Sequence, residues 1–144
     1  MTRSDPPVTR TRELADFLAE VTFDDRLVGL TEGYVLDTLA CIVFGARQPW
    51  SRIAAAHALR TGGGGRSTVF GPGGGSTTPA MAAFANGAAG HAFELDDVHE
   101  DAISHPGAVV IPAALALAED LGVTGSVFLD AVAVGYEALS LIHI

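Results

Sequence analysis

Residues 79–93 read Pro-Ala-Met-Ala-Ala-Phe-Ala-Asn-Gly-Ala-Ala-Gly-His-Ala-Phe, and this composition predicts a helix. Its side chains are almost all small, and Pro79 suits the first position of an α-helix. Because small residues let neighbouring helices approach closely, we expect this helix to lie at the centre of a helical bundle. The stretch leads directly into a group of acidic residues and histidines.

Helical periodicity continues on both sides of this stretch. Thr11 is the expected cap of the first helix, and Gly45 is the expected stop of the second. Pro106 is expected to begin a helix that contains a distorted turn at Pro112. We therefore predict five further helices, over 11–21, about 26–46, 51–60, 106–121 and about 126–144.

Residues 61–79 are predicted to form a glycine-rich loop. They contain eight glycines and two prolines, and only Ser67–Phe70 has the composition of an extended piece. No pair of strands and no internal repeat is predicted. We expect residues 1–144 to form a single all-α domain, a helical bundle.

The charge of the chain is acidic and uneven. Seventeen acids stand against eight bases, all arginine, and the formal net charge is −9. Every arginine lies at or before Arg66, whereas residues 67–144 hold nine acids. Because binders of nucleic acid or of anionic membranes need cations, neither class is expected. Asp130 and Glu137 interrupt the apolar tract 123–144, and the N-terminus is polar, so we predict no membrane span, no signal peptide and a cytoplasmic protein. Cys41, the single cysteine, is expected to be buried.

Residues 91–107 are rich in histidines and acidic residues. They read His-Ala-Phe-Glu-Leu-Asp-Asp-Val-His-Glu-Asp-Ala-Ile-Ser-His-Pro-Gly, with three of the five histidines and five of the seventeen acids. His105 precedes Pro106 and so lies at or just before a helix start, where the helix dipole favours an imidazole that can accept a proton. His105 is therefore a candidate base. Whether the preceding helix ends by Asp96 or continues past Phe93 stays open.

Other interpretations of the polar residues compete with an acid–base site. One is a solvated turn between two helices. A metal site is another, but His-x-x-Glu-x-Asp-Asp-x-His matches no tight ligand signature, so no metal is predicted. Phosphate binding by 62–75 is disfavoured because this loop lacks lysine and the Gly-Lys-Ser/Thr ending. The backbone amides of 77–81 could receive a carboxylate.

Several segments, taken in order, resemble the MmgE/PrpD family. They are Leu-Asp-Thr-Leu-Ala-Cys at 36–41, Phe-Gly at 70–71, Asn-Gly-Ala-Ala-Gly-His-Ala at 86–92, Asp-Asp-Val-His at 96–99 and His-Pro-Gly-Ala-Val-Val-Ile-Pro at 105–112. The similarity runs from about residue 12 to Tyr136. It implies a cofactor-independent lyase or isomerase that transfers a proton next to a carboxylate of a small di- or tricarboxylate. Known activities of the family are 2-methylcitrate dehydration, cis-aconitate decarboxylation and iminodisuccinate epimerisation.

The resemblance also implies which residues form the site. His105 is the expected acid or base, and His99 is a second candidate for proton transfer. Asp96, the expected catalytic carboxylate, or its neighbour Asp97 orients a histidine or fixes the substrate. The residues expected to bind substrate are Glu94, Asp97 and Val98. Because Glu94 stands where aspartate is usual and Val98 where threonine is usual, the particular substrate is not predicted.

The resemblance implies a large helical domain, a smaller α/β domain with the site between them, and a homodimer. Family members are much longer than this chain, and a polycarboxylate needs cations that residues 67–144 lack. We therefore expect an N-terminal fragment of the helical domain, with the α/β domain absent and no activity of its own. The alternative is a non-catalytic helical interaction module, with 91–107 as a hydrated loop and the apolar C-terminal residues as a binding face.

Overall fold

The computed structural model describes residues 9–101 and 103–142, and within them the chain is a bundle of six helices with one small hairpin. This architecture confirms the all-α prediction. The helices are α1 (Arg10–Glu20), α2 (Asp25–Gly45), α3 (Pro49–Thr61), α4 (Pro79–Gly90), α5 (Pro106–Leu121) and α6 (Gly125–Ile142). The strands are β1 (Ser67–Val69) and β2 (Gly75–Thr77).

The small-residue helix α4 occupies the centre of the bundle, as predicted. It packs against α2, α3 and, most extensively, α5. Its inward residues Ala82, Ala85 and Ala89 are buried. Gly45 of α2 lies against the backbone of Ala89 so closely that a Cβ at this position would overlap the carbonyl oxygen. Small side chains on both helices therefore allow this approach.

The contact between α4 and α5 depends on a proline and a glycine. Pro106 begins α5, and Pro112 remains inside it, fully buried. Because Pro112 has no N–H, the Ala108 carbonyl one turn earlier lacks its usual helical donor. A Cβ added to Gly87 of α4 would lie 2.9 Å from this carbonyl oxygen. The two helices thus meet through backbone atoms, just beyond the His105-Pro106 pair.

The prediction that no strands pair was wrong. β1 and β2 form an antiparallel hairpin in which Thr68 lies opposite Ser76. Asn86 of α4 donates from Nδ2 to the Thr68 carbonyl at 2.8 Å and accepts from the Phe70 N–H at 3.0 Å. Glu119 of α5 accepts from the Thr68 N–H at 2.6 Å and from its hydroxyl at 2.7 Å. The hairpin is therefore fixed between two helices by side chains.

The N-terminal cap of α1 differs from the prediction, whereas the burial of Cys41 in α2 agrees with it. Thr9, not Thr11, caps α1, and its hydroxyl accepts from the Arg12 N–H. Cys41 is buried as expected, and burial, assisted by the charge of Asp37, raises the pKa of its thiol.

Among the described residues, helix α2 has the length and composition of a candidate membrane span. Over Arg26–Gly45 it is long and apolar enough to cross a membrane, with a mean hydropathy of 1.6. The core helix of a soluble protein passes the same test of length and composition. The prediction of no membrane span, which was argued from residues 123–144, therefore stays a prediction.

Candidate functional site

The loop between α4 and α5 folds back on itself and so brings distant residues together. Helix α4 ends at Gly90, with His91 in the C-cap position, so it does not continue past Phe93. Two non-glycine residues take the left-handed conformation, Glu94 at φ 50° and Ile103 at φ 47°. His99 and Ser104 form an isolated antiparallel bridge between those turns. Because the chain reverses, the loop returns His105 to the end of α4.

Three side chains meet at this place, which we call the histidine–aspartate cluster: His91, Asp96 and His105. The Nδ1 of His91 lies 3.1 Å from Asp96 Oδ1 and 3.2 Å from Oδ2. The Nδ1 of His105 lies 3.4 Å from Asp96 Oδ2 but is too poorly aligned for a hydrogen bond. The two imidazole rings are 4.5 Å apart between centroids, at an interplanar angle of 62°. One carboxylate thus faces two imidazoles.

Burial makes this cluster electrostatically unusual. The Asp96 side chain is 0% exposed, whereas the side chains of His91 and His105 are 45% and 29% exposed. A buried carboxylate is costly unless a cation or hydrogen-bond donors accompany it. Arg66, the last arginine of the chain, donates instead to the Asp120 carbonyl near the far end of α5. Since α5 has 16 residues, that end lies about 24 Å from His105. The side chains that the described residues place against the Asp96 carboxylate are the two imidazoles.

Asp97 points to a different set of partners. Its Oδ1 accepts from the Gly107 N–H at 2.9 Å, and its Oδ2 accepts from the Tyr136 hydroxyl at 2.8 Å. Burial and the hydrogen bond to Asp97 raise the pKa of Tyr136, whose ring stacks on Tyr34 at 5.0 Å. Asp97 therefore ties the first turn of α5 to α6, and both of its oxygens are already engaged within the fold. Its predicted role in substrate binding stays a prediction.

His105 and His99, the two predicted proton-transfer residues, line different cavities. A cavity of about 450 Å³ adjoins the cluster, and its lining residues are Phe84, Gly87, Ala88, His91, His105, Ala108 and Val109. His99 instead lines a cavity of about 230 Å³ between α2 and α6, together with Tyr34, Tyr136 and Glu137. The structure therefore groups Asp96 with His105 and places His99 beside another cavity.

Glu94 and Val98, the other predicted substrate-binding residues, are exposed to solvent, Val98 to 59%. They line neither of the two cavities described above.

His91 is the functional candidate that the sequence analysis did not assign. It was noticed as a histidine, but the spacing His-x-x-x-x-Asp to Asp96 gives no signal until the chain is known to turn after Gly90. Together His91, Asp96 and His105 offer ligand atoms that all lie within 4.8 Å of one another. The combination of two imidazoles and one carboxylate can share a proton or hold a metal ion.

Comparison with known proteins gives one family and several relatives. The model of the MmgE/PrpD N-terminal domain matches residues 12–142. Cis-aconitate decarboxylase from Aspergillus terreus is 37% identical over 63% of this chain, which corresponds to 18% of that protein. A cis-aconitate decarboxylase-like protein from Aspergillus oryzae is 33% identical over 95% of the chain and 30% of its own length. Human cis-aconitate decarboxylase is 34% identical over 67% of the chain and 20% of its own length. The chain therefore spans less than a third of these relatives, and no solved structure matches it.

Proposed function

Because this chain belongs to the MmgE/PrpD family, we propose that it forms the helical wall of an active site for proton transfer next to a carboxylate. The proposed reaction class is a lyase reaction, decarboxylation or dehydration, on a small di- or tricarboxylate. The relatives named above are called cis-aconitate decarboxylases, which makes cis-aconitate the first substrate to test. 2-Methylcitrate is the second.

The observation that carries this proposal is the position of His105. It stands immediately before α5, beside the fully buried carboxylate of Asp96, and lines the cavity of about 450 Å³. A general acid or base must be held in one orientation and must reach the substrate. Asp96 Oδ2 lies 3.4 Å from the His105 Nδ1, close enough to hydrogen-bond and orient the ring after a small rotation, and the cavity provides access for a small acid.

His105 would transfer one proton in either reaction, as an acid in decarboxylation and as a base in dehydration. When CO₂ leaves, its C–C bonding electrons remain on the substrate, and a proton must be delivered to the carbon skeleton. When water leaves, a proton is taken from the carbon next to a carboxylate, the C–H electrons form the double bond, and the hydroxyl of the neighbouring carbon departs and is protonated to water. An imidazole can perform both steps at neutral pH, and neither step needs a cofactor.

The substrate charge has to be balanced by residues other than those around the cluster. At an effective dielectric near 20, two like charges 4 Å apart repel by about 4 kcal/mol, and Asp96 already contributes one charge. No lysine occurs in the chain, and Arg66 is held at the far end of α5. We propose that the required cations come from the part of the protein that corresponds to the remaining length of the relatives, in a cytoplasmic homodimer.

The test is incorporation of deuterium from D₂O into cis-aconitate and 2-methylcitrate by the longest polypeptide that contains residues 1–144. Replacing His105 by glutamine is expected to slow exchange at least 100-fold, because general acid–base catalysis contributes about 10²–10⁴. His57→Gln is the matched control, since His57 lies exposed on α3. Equal exchange by His105→Gln and the parent would remove His105 from the mechanism.

A second candidate function is a non-catalytic interaction module, and an observation favours it. Leu36, Val43 and Phe44 of α2 are 72%, 55% and 48% exposed and line a shared apolar depression. The C-terminal residues 143–144, which were expected to extend a binding face, lie outside the described residues. Absence of deuterium exchange with every carboxylate tested would favour this alternative.

A further inference from the structure

We propose that His91, Asp96 and His105 form a binding site for a divalent transition-metal ion, for which Zn²⁺ is the best match. The metal site shares His105 with the proposed proton-transfer site, but metal binding does not depend on that function. The sequence predicted no metal, because the spacing considered then ended at His99 and did not include His105. The three side chains are neighbours only after the loop has reversed.

The distances between the possible ligand atoms fit a four-coordinate ion. With metal–ligand bonds of about 2.0–2.1 Å, neighbouring ligand atoms of a tetrahedral site are about 3.3–3.4 Å apart. From Asp96 Oδ2 the corresponding distances are 3.2 Å to His91 Nδ1 and 3.4 Å to His105 Nδ1. One ligand atom from each of the three side chains lies within 4.8 Å of the others, so the imidazoles would rotate to close the site around an ion.

The Nδ1 of His105 is available as a metal ligand. Among the described residues, this buried nitrogen has no hydrogen-bond partner. It faces Asp96 Oδ2 at 3.4 Å without the alignment of a hydrogen bond, so no hydrogen bond would have to break for it to bind an ion. The neutral imidazole is the form that binds metals.

The charge balance points in the same direction. Asp96 is fully buried, and the groups within reach of its carboxylate are imidazoles rather than arginines. A divalent ion would neutralise this carboxylate and leave one positive charge for a further ligand. The adjoining cavity, lined by His91 and His105, leaves room for water or a carboxylate in the fourth position. Three protein ligands with one open position make an exchangeable site.

The donor set also predicts selectivity. Two imidazole nitrogens and one carboxylate suit Zn²⁺, Co²⁺, Ni²⁺ and Cu²⁺, whereas Mg²⁺ and Ca²⁺ prefer sites built from oxygen atoms alone. A metal ion on Nδ1 of His105 withdraws electron density from the ring and makes it a poorer base. Bound Zn²⁺ is therefore expected to oppose proton transfer by His105 rather than to assist it.

The test is isothermal titration of ZnCl₂ into the 144-residue chain, with CoCl₂ absorption spectra as a report on the ligands. We expect one Zn²⁺ per chain, visible Co²⁺ bands of a four-coordinate nitrogen and oxygen site, and no heat with MgCl₂. His91→Gln should weaken Zn²⁺ binding at least about 10-fold, since it removes a ligand that is half exposed. His57→Gln is the matched control and should bind as the parent does.

Equal affinity of the parent and His91→Gln would overturn the proposal, because it would show diffuse binding to the acidic surface. Absence of the Co²⁺ bands would do the same. Asp96→Asn, with its folding checked by circular dichroism, is the second variant; if it does not fold, His105→Gln takes its place. Because the deuterium-exchange assay needs no metal, failure of metal binding leaves the proposed function standing, and failure of exchange leaves the metal site standing.

Discussion

Gly107 lies in the first turn of α5, where the surrounding atoms leave no room for a side chain. A Cβ at this position would lie 2.5 Å from the Thr38 hydroxyl, 2.6 Å from Asp97 Oδ1 and 3.0 Å from the Tyr136 hydroxyl. Asp97 is fixed by its two hydrogen bonds and cannot move aside without breaking one of them. The absence of a side chain at Gly107 therefore keeps the first turn of α5 tied to α6.

Gly107→Ala is expected to lower the free energy of unfolding by about 1–3 kcal/mol, the usual cost of overpacking. Gly33→Ala is the matched control, because Gly33 lies inside α2 with no atom near its would-be Cβ. Alanine there should stabilise by about 0.5–1 kcal/mol, since glycine is a poor helix former. Urea denaturation measures both, and a Gly107→Ala protein as stable as the parent would contradict the packing described.

Tyr136 makes the stability of the fold sensitive to alkaline pH. Its folded-state pKa is raised by burial and by the bond to Asp97, so the neutral phenol is stabilised. This stabilisation is fully present below the ordinary tyrosine pKa of about 10 and is lost as the pH rises above it, because the unfolded chain then releases the proton first.

We therefore expect the free energy of unfolding to fall between about pH 9 and pH 11, and this fall to be smaller in Tyr136→Phe. At pH 7 this variant should be less stable by about 1.5–3 kcal/mol, the value of a hydrogen bond to a charged group. Tyr34→Phe, the control, changes the only other tyrosine and should keep the alkaline loss. An identical pH profile in both variants would show that the Tyr136 phenol is not responsible.

At the scale of elements, the hairpin is stabilised by its neighbours rather than by its own length. Each strand has three residues, too few for independent stability. Asn86, 3% exposed, satisfies one backbone donor and one backbone acceptor of the β1 region. Glu119 satisfies the Thr68 N–H from α5.

Asn86→Ala is expected to lower the free energy of unfolding by about 2–3 kcal/mol, because it leaves the Phe70 N–H and the Thr68 carbonyl without partners. Thermal unfolding followed by circular dichroism measures the change. Ser76→Ala, on the exposed face of β2, should stay within about 0.5 kcal/mol of the parent. A loss of equal size in both variants would mean that the side-chain bonds of Asn86 do not fix the hairpin.

The sequence predicted the helices better than the loops, for a physical reason. Pro79, Pro106 and Gly45 mark helix ends within the chain itself, and the small residues of α4 indicate its central position. The hairpin and the histidine–aspartate cluster depend on contacts between residues far apart in sequence. His91 reaches His105 only because the loop takes left-handed turns at Glu94 and Ile103, and neither residue type favours that conformation. His105 and Asp96 were assigned from the sequence, and their proximity required the structure.

The whole molecule separates its charges along the chain. All eight arginines lie at or before Arg66, and the cluster lies in the acidic second part. Two of the arginines, Arg10 and Arg12, form ion pairs within α1. A polycarboxylate bound at the cluster would therefore meet the like charge of Asp96, while Arg10, Arg12 and Arg66 are engaged elsewhere.

The 144-residue chain alone is therefore expected to show no turnover of cis-aconitate or 2-methylcitrate in the deuterium-exchange assay. Circular dichroism of the same sample would establish that the helical bundle is folded. The control is the longer polypeptide used for the proposed function, assayed in parallel. Substantial exchange by the short chain would show that the substrate charge is tolerated without additional cations.

The backbone contact between Gly87 and the Ala108 carbonyl links the fold to the chemistry of the site. His91 follows Gly87 by one helical turn, and His105 precedes Ala108 by three residues, so the separation of the two helix axes also sets the separation of the two imidazoles. One methyl group at residue 87 would push the axes apart, and a displacement of about 1 Å costs on the order of a hundredfold in rate. A larger residue at position 87 is therefore expected to change the distance between the histidines and Asp96, and, under the proposed function, the preferred substrate with it.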